Sequence, residues 1–201
     1  MRLKPVQPRR RLIPRRRRKL RPVELIAAGA VDAALLEALG RGLEAEMGVQ
    51  WSLGDAMPLR EEWMETESGL YRSIHLMHAL MDRAEDGERK QRRRWRLAIA
   101  DQGLCVEGVG TVFGEAAMEG CCAVVGLTPL RSGSGADAGV LRDRLLTEAV
   151  HELGHLAGLR HCRRASCVMY PSRHIADTDH KERAFCPECR RSLKLRGLQE
   201  S

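Results

Sequence analysis

The spacing of apolar residues along the chain switches between short near-continuous runs and a three-to-four repeat, which separates strands from helices. Residues 22–27 read as a strand that breaks at the run AAGA. From 31 to 47 the residues Val31, Leu35, Leu36, Leu39 and Leu43 recur on one side of a predicted helix. Val49–Leu53 suits a second strand, and Gly54–Pro58 is turn chemistry. Tyr71–Arg83 reads as a helix with Ile74, Met77, Leu80 and Met81 as its stripe. Its His75 and His78 stand at i and i+3 with no third ligand near them in sequence, so they are read as exposed or partly buried histidines. DGERKQRRR is a charged connector. WRLAIAD (Trp95–Asp101) and CCAVVGL (Cys121–Leu127) are strand candidates, with the loop-like, glycine-punctuated VGTVFGEAAMEG between them. RSGSGADAG (Arg131–Gly139) is the clearest flexible loop, and a long helix follows it. Alternating strands and helices before a cysteine-rich end predict an α/β body with a small C-terminal lobe.

The long helix carries the candidate chemistry. At about 100° per residue, with Leu146 at zero, Val150, Leu153 and Ala157 fall within about 40° and form a core-facing stripe. His151 and His155 fall near 140° and 180°, so two imidazoles sit one turn apart on the other side, and Glu152 lies about 60° from His155. This is the logic of HExxH: two metal ligands, with a general base close enough to reach a metal-bound water. Gly158 can take the left-handed conformation that ends the helix and returns His161 to the same ion. Three neutral imidazoles leave a fourth zinc position open for water, and Glu152 is placed to take its proton. No serine or cysteine nucleophile is required.

A second site follows at once. Cys162 and Cys167, with Cys186 and Cys189, form two close pairs about twenty residues apart, a pattern of four thiolates around a structural zinc. Asp179 reads as an N-cap with Glu182 three residues on, starting a short helix that delivers Cys186; His174 and His180 offer competing ligands, but four thiolates suffice. Cys105, Cys121 and Cys122 are read as small buried residues. Seven cysteines, an odd number, fit metal binding in a reducing compartment better than a disulfide framework, and the cytoplasm is the expected location. Two Zn²⁺ per chain are therefore expected, one catalytic and one structural.

Composition modifies this in one respect. The net charge is +7, yet residues 1–22 hold 11 of the 34 Lys and Arg and no acid, leaving 23 bases against 27 acids in the rest. The body is mildly acidic and the basicity belongs to a tail. Residues 2–21 are either a solvated, disordered extension or a weak contact for nucleic acid or an anionic surface. Aromatics at 3% offer few stacking platforms for bases. No apolar run reaches the length of a membrane span, about 18 residues. Glu24 and Asp32 interrupt what would have to be the apolar core of a signal peptide.

HELGHLAGLRH followed by Met169 resembles the metzincin pattern, whose methionine turn underlies the zinc site. The further run HC…CVM…FCxxC resembles the archaemetzincins, and so do VFGEA, AVVGL and the Asp179-x-Lys181 that precedes Phe185. The likeness covers residues 95–190 well and the first hundred loosely. It implies an α/β (α+β) zinc-metallopeptidase fold, with a twisted mixed sheet, helices above it and a cleft over a small zinc-stapled lobe. His151, His155 and His161 would hold catalytic zinc, Glu152 would be the base, and the four cysteines the second zinc. An edge strand would pair with an extended peptide substrate, and CCAVVGL would be that strand or a plain edge strand. Tyr170 would line the pocket or merely pack. The arginine-rich tail is outside the family pattern. The resulting division is a basic tail over 1–21, a catalytic domain over 22–161 and a zinc lobe over 162–201. A zinc hydrolase of a non-peptide amide, and a zinc-stabilised nucleic-acid-binding module, are the alternatives.

Overall fold

The computed structural model describes residues 20–85, 94–133 and 137–199. Most of the basic segment 2–21, most of the connector 86–94 and residues 134–136 of the predicted loop lie outside the described residues.

A five-stranded sheet organises the chain, built from β1 (Val23–Ala28), β2 (Trp51–Leu53), β4 (Trp95–Ala100), β7 (Gly114–Ala116) and β8 (Cys122–Gly126) in the order β2-β1-β4-β8-β7. The first four strands in that order run parallel, and β7 pairs antiparallel to β8. A smaller sheet joins β3 (Tyr71–Arg72), β5 (Leu104–Val106) and β6 (Gly110–Val112) in the order β3-β5-β6.

Every residue of β4 is buried, because both faces of the large sheet are covered, and this is why its strands read as largely apolar runs, interrupted by Glu24 in β1 and Arg96 in β4, which pair at 3.1 Å. On one face Leu25, Leu97, Ile99 and Val125 meet Leu36, Leu39 and Leu43 of α1 (Ala33–Met47) and Leu145, Val150 and Leu153 of α4 (Ala138–Leu156). On the other face Ile26, Ala98, Ala100 and Val124 meet Leu76, Met77 and Leu80 of α2 (Ser73–Glu85). A short turn of helix, α3 (Leu127–Leu130), leads from β8 towards α4. The chain ends in α5 (Ile175–His180) and α6 (Pro187–Gln199), and Cys167, Val168, Met169 and Cys186 join the α1/α4 core.

Four expectations are corrected. VGTVFGEAAMEG is not a loop: it holds β6 and β7, three residues each, too short to show a period in sequence. CCAVVGL is therefore an interior strand, and the edge belongs to β7. In α2 the buried stripe runs through Leu76, Met77 and Leu80, while Ile74 is 46% exposed; the helix starts two residues later than predicted because Tyr71–Arg72 pairs with Leu104–Cys105 as a strand. Asp179 is not an N-cap. It lies inside α5, whose N-cap is His174, and Asp177 accepts the backbone N–H of Arg173 and of His174. Asp179 instead takes Arg144 in a two-pronged pair at 2.6 and 2.7 Å, and α6 starts at Pro187, a residue suited to a first helical position.

Candidate active site

Helix α4 is capped by Asp137, whose Oδ1 accepts from Gly139 N at 2.7 Å and Val140 N at 2.9 Å. It is buried on all sides from Arg144 to Leu156, so its polar residues need partners inside the protein. Gly158 follows at φ +85°, as expected from its left-handed role, and turns the chain back so that His161 returns to the helix.

The three histidines converge. Ring centroids are 4.7 Å apart for His151 and His155, 5.3 Å for His151 and His161, and 4.9 Å for His155 and His161. The Nδ1 of His151 lies 2.7 Å from Val168 O, and that of His155 2.7 Å from Leu159 O. A carbonyl only accepts, so each Nδ1 carries the proton and each Nε2 is a bare lone pair. Burial lowers the pKa of all three imidazoles, with Lys181 adding to the effect at each, which keeps the rings neutral. The two bare Nε2 atoms of His151 and His155 nevertheless face each other at 3.1 Å. With no proton between them, they need a cation. Ligands of a tetrahedral zinc at about 2.0–2.1 Å stand roughly 3.3–3.4 Å apart, so this donor set fits the ion.

Glu152 is 4% exposed, and burial first, then the neighbouring Glu148 carboxylate, drive its pKa well above the usual carboxylate range. The strand β7 lies against it: a Cβ placed on Gly114 would come within 2.6 Å of Glu152 Oε1. A cleft of about 560 Å³ opens over these groups. Its floor is α4, one wall is β7 with the β5–β6 hairpin, and the other is Pro171–Arg173. Tyr170 is half-buried and does not line this cleft, its N–H bonding Cys167 O at 2.9 Å.

The sequence reading missed the buried group behind the cleft. Glu148 Oε1 accepts Ser172 Oγ at 2.9 Å, Thr178 Oγ1 at 2.7 Å and Lys181 Nζ at 3.0 Å. Lys181 also reaches Tyr170 O at 3.3 Å. This ion pair pins the segment after Met169 to α4. A signal was there: Glu148 falls near 200° on the helical wheel, among the histidines.

The four cysteines also gather. Cys162 and Cys186 sulfurs are 3.9 Å apart, Cys167 and Cys189 sulfurs 3.8 Å, and none is in a disulfide. Thiolates around a tetrahedral zinc at about 2.3 Å stand about 3.8 Å apart, so this set fits as well. Burial opposes ionisation of Cys186, but hydrogen bonds from the Cys189 amide and thiol bring it down to about 7. Among the described residues these two clusters are the groupings able to hold a metal. His174 and His180 join neither, and His75 instead stacks on Trp63 at 6.4 Å. Cys122 is buried in β8 and Cys105 in β5 of the smaller sheet, while Cys121 is half-buried. No described helix is long and apolar enough to cross a membrane.

Known proteins bear on this arrangement. The sequence model of peptidase family M54 matches residues 63–195. An archaemetzincin of Methanocaldococcus jannaschii is 37% identical over 105 residues, which is 51% of this chain and 59% of that protein. An archaemetzincin of Natronomonas pharaonis is 28% identical over 85% of this chain and 98% of its own length. The first match thus spans little more than half of its relative, and the second nearly all. Among solved structures, archaemetzincin from Archaeoglobus fulgidus superposes with a TM-score of 0.72 at 26% identity, over 85% of this chain and 99% of that one. A zinc-dependent peptidase from Methanocorpusculum labreanum superposes at 0.76 and 26% identity over the same shares. Residues 2–21, for which a contact with nucleic acid is one expectation, lie outside the stretch that the family model matches.

Proposed function

The chain belongs to peptidase family M54, and on that premise we propose that it is a zinc-dependent metallopeptidase that hydrolyses peptide bonds with Glu152 as general base. The observation that carries this reading is the 3.1 Å approach of two proton-free Nε2 atoms beside a buried glutamate.

His151, His155 and His161 are the proposed ligands of the catalytic zinc, with Cys162, Cys167, Cys186 and Cys189 holding a second, structural zinc. Zinc at the three imidazoles would lower the pKa of a bound water and polarise the substrate carbonyl. The protein's own groups do the rest. Val168 O and Leu159 O fix the two helical imidazoles in the tautomer that points Nε2 at the ion. Glu152 takes the proton of the attacking water and passes it to the leaving amine, a role suited to a carboxyl whose proton affinity burial raises above the usual carboxylate range. The outer edge of β7 pairs with no described strand, so it is free to add an extended peptide as a further strand. Met169 sits beneath α4 with its sulfur against Gly154 and serves as the methionine turn. Residues 162–201 act in this reading as a lobe that closes the lower side of the cleft.

The test is mass spectrometry of a diverse peptide mixture incubated with the zinc-loaded protein and, in parallel, with Glu152→Ala. Cleavage by the first alone is the expected result. Failure of both to cleave, with two zincs bound, would turn the reading to a non-peptide amide.

A further inference from the structure

One polar atom in the cleft wall has no partner. Glu115 stands in the middle of β7, next to the Gly114 that abuts Glu152. Its Oε2 is buried and accepts no hydrogen bond from any described residue, and no described cation pairs with it. The other carboxylates of the cleft are occupied: Glu148 is saturated on Oε1 by Ser172, Thr178 and Lys181, and Glu152 is the proposed base. Lys181, the buried cation nearest the site, is committed to Glu148. The same wall of the cleft is mostly apolar, carrying Val106, Val109, Val112 and Met118 beside Thr111, with Val109 72% and Met118 49% exposed.

A buried, unpaired carboxylate oxygen on a half-buried side chain is costly to keep. It becomes an asset when a ligand brings the missing donor. A peptide laid along the edge of β7 at the register that brings its bond to Glu152 must pass Glu115, one residue along. The apolar wall suits a methylene stem, and the carboxylate suits its charged head.

We propose that Glu115 is a specificity-determining residue that receives a cationic nitrogen of the substrate, an ammonium or guanidinium. The inference rests on the peptidase reading and names the substrate chemistry of that site. Two sources carry this chemistry: a Lys or Arg side chain, and the free amino terminus of the peptide.

The experiment uses zinc-loaded full-length protein, wild type and Glu115→Gln, with four forms of one cleavable peptide. The variable residue beside the scissile bond is lysine or the uncharged norleucine, and the amino terminus is free or acetylated. Binding to each is measured by calorimetry in a Glu152→Ala background, and kcat/KM in the parent. The wild type is expected to favour one cationic form over its neutral counterpart by about tenfold or more in Kd and kcat/KM. Glu115→Gln, which keeps the shape but not the charge, is expected to bring the ratio of cationic to neutral peptide to within about threefold of one. Dependence on lysine identifies a side chain as the source, and dependence on the free terminus identifies the α-amine. A charge preference in binding without turnover would leave Glu115 assigned and overturn the peptidase reading alone. Equal handling of all four peptides by the wild type, no binding of any, or a preference that survives Glu115→Gln would each overturn the proposal.

Discussion

The Nδ1 of His151 lies 2.7 Å from the carbonyl oxygen of Val168, so a proposed catalytic ligand is held by the residue next to Cys167, a proposed ligand of the second metal. The same segment returns a second bond, Cys162 N to Met169 O at 2.8 Å, and Cys162 is joined by its peptide bond to His161. Two of the three histidines are thus steered by the cysteine cluster. Coupling of this kind is reciprocal.

It follows that Cys186→Ser lowers the affinity of the histidine site for metal, by about 10–100-fold as for other outer partners of metal ligands, although it removes none of that site's ligands. Cobalt titration reads the two sites separately, through thiolate charge-transfer bands and imidazole d–d bands. An unchanged affinity at the histidines would show the clusters to be neighbours without influence on each other.

Gly114→Ala tests the fit between β7 and the general base. The added methyl would lie 2.6 Å from Glu152 Oε1 and 2.8 Å from Val124 O, inside the closest approach either can tolerate. Relief of the first contact requires Glu152 to move, and relief of the second requires β7 to shift against β8, so the carboxylate loses its place against the strand. Displacing a reacting group by about 1 Å costs about 10²-fold. The expected outcome is a loss of that order in kcat with both metals retained by elemental analysis. Wild-type turnover would mean that Glu152 is free to choose another position.

Why some of this was legible and some was not has a physical answer. The histidine and cysteine sites are written locally: His151, His155 and Gly158 act through helical spacing, and Cys186 and Cys189 through a two-residue gap, so the sequence alone places them. Strands β1, β4 and β8 were legible because burial on both faces makes them largely apolar runs, with Glu24 and Arg96 as the exceptions in β1 and β4. Strand β7 was not, since three residues with a glycine and a glutamate become a strand only through pairing with β8. Likewise Asp179 has the chemistry of an N-cap, and only the fold reveals Arg144, 35 residues away in sequence, as its partner.

Acid should erase the contribution of the α4 cap. The backbone N–H groups of Val140 and Gly139 hold the Asp137 carboxyl below the ordinary aspartate range. A folded-state pKa that is depressed gives stability fully present above the unfolded value, about 3.9, and lost as pH falls through the lower folded value. Asp137→Ala should therefore lower Tm at pH 7, and the gap to wild type should close progressively below about pH 4. Asp137→Asn keeps an acceptor and should keep most of the cap without that pH dependence. Thermal melts from about pH 7 to about pH 2.5 decide it, and a gap that stays constant over the range would exclude the carboxylate as the cause.

The fit of Met169 under α4 gives a prediction whose sign depends on its background. In an open helix, Gly154→Ala would gain about 0.8–1 kcal/mol from propensity. Here the new methyl would run into Met169 Sδ and lie 3.1 Å from Phe185 Cε1, and overpacking of a filled core costs about 1–3 kcal/mol. The second effect exceeds the first, so Gly154→Ala should destabilise the wild-type protein. Met169→Ala removes the obstructing sulfur and by itself should cost about 2–5 kcal/mol, since Met169 is fully buried. In that background the 3.1 Å contact with Phe185 Cε1 remains, but the space vacated by the Met169 side chain lets that ring yield, so propensity wins and the substitution should now stabilise. A double-mutant cycle by urea unfolding of metal-loaded protein measures the coupling, expected at about 1–3 kcal/mol. Additive effects would show that helix and methionine turn do not press on each other, and that Gly154 is small for some other reason.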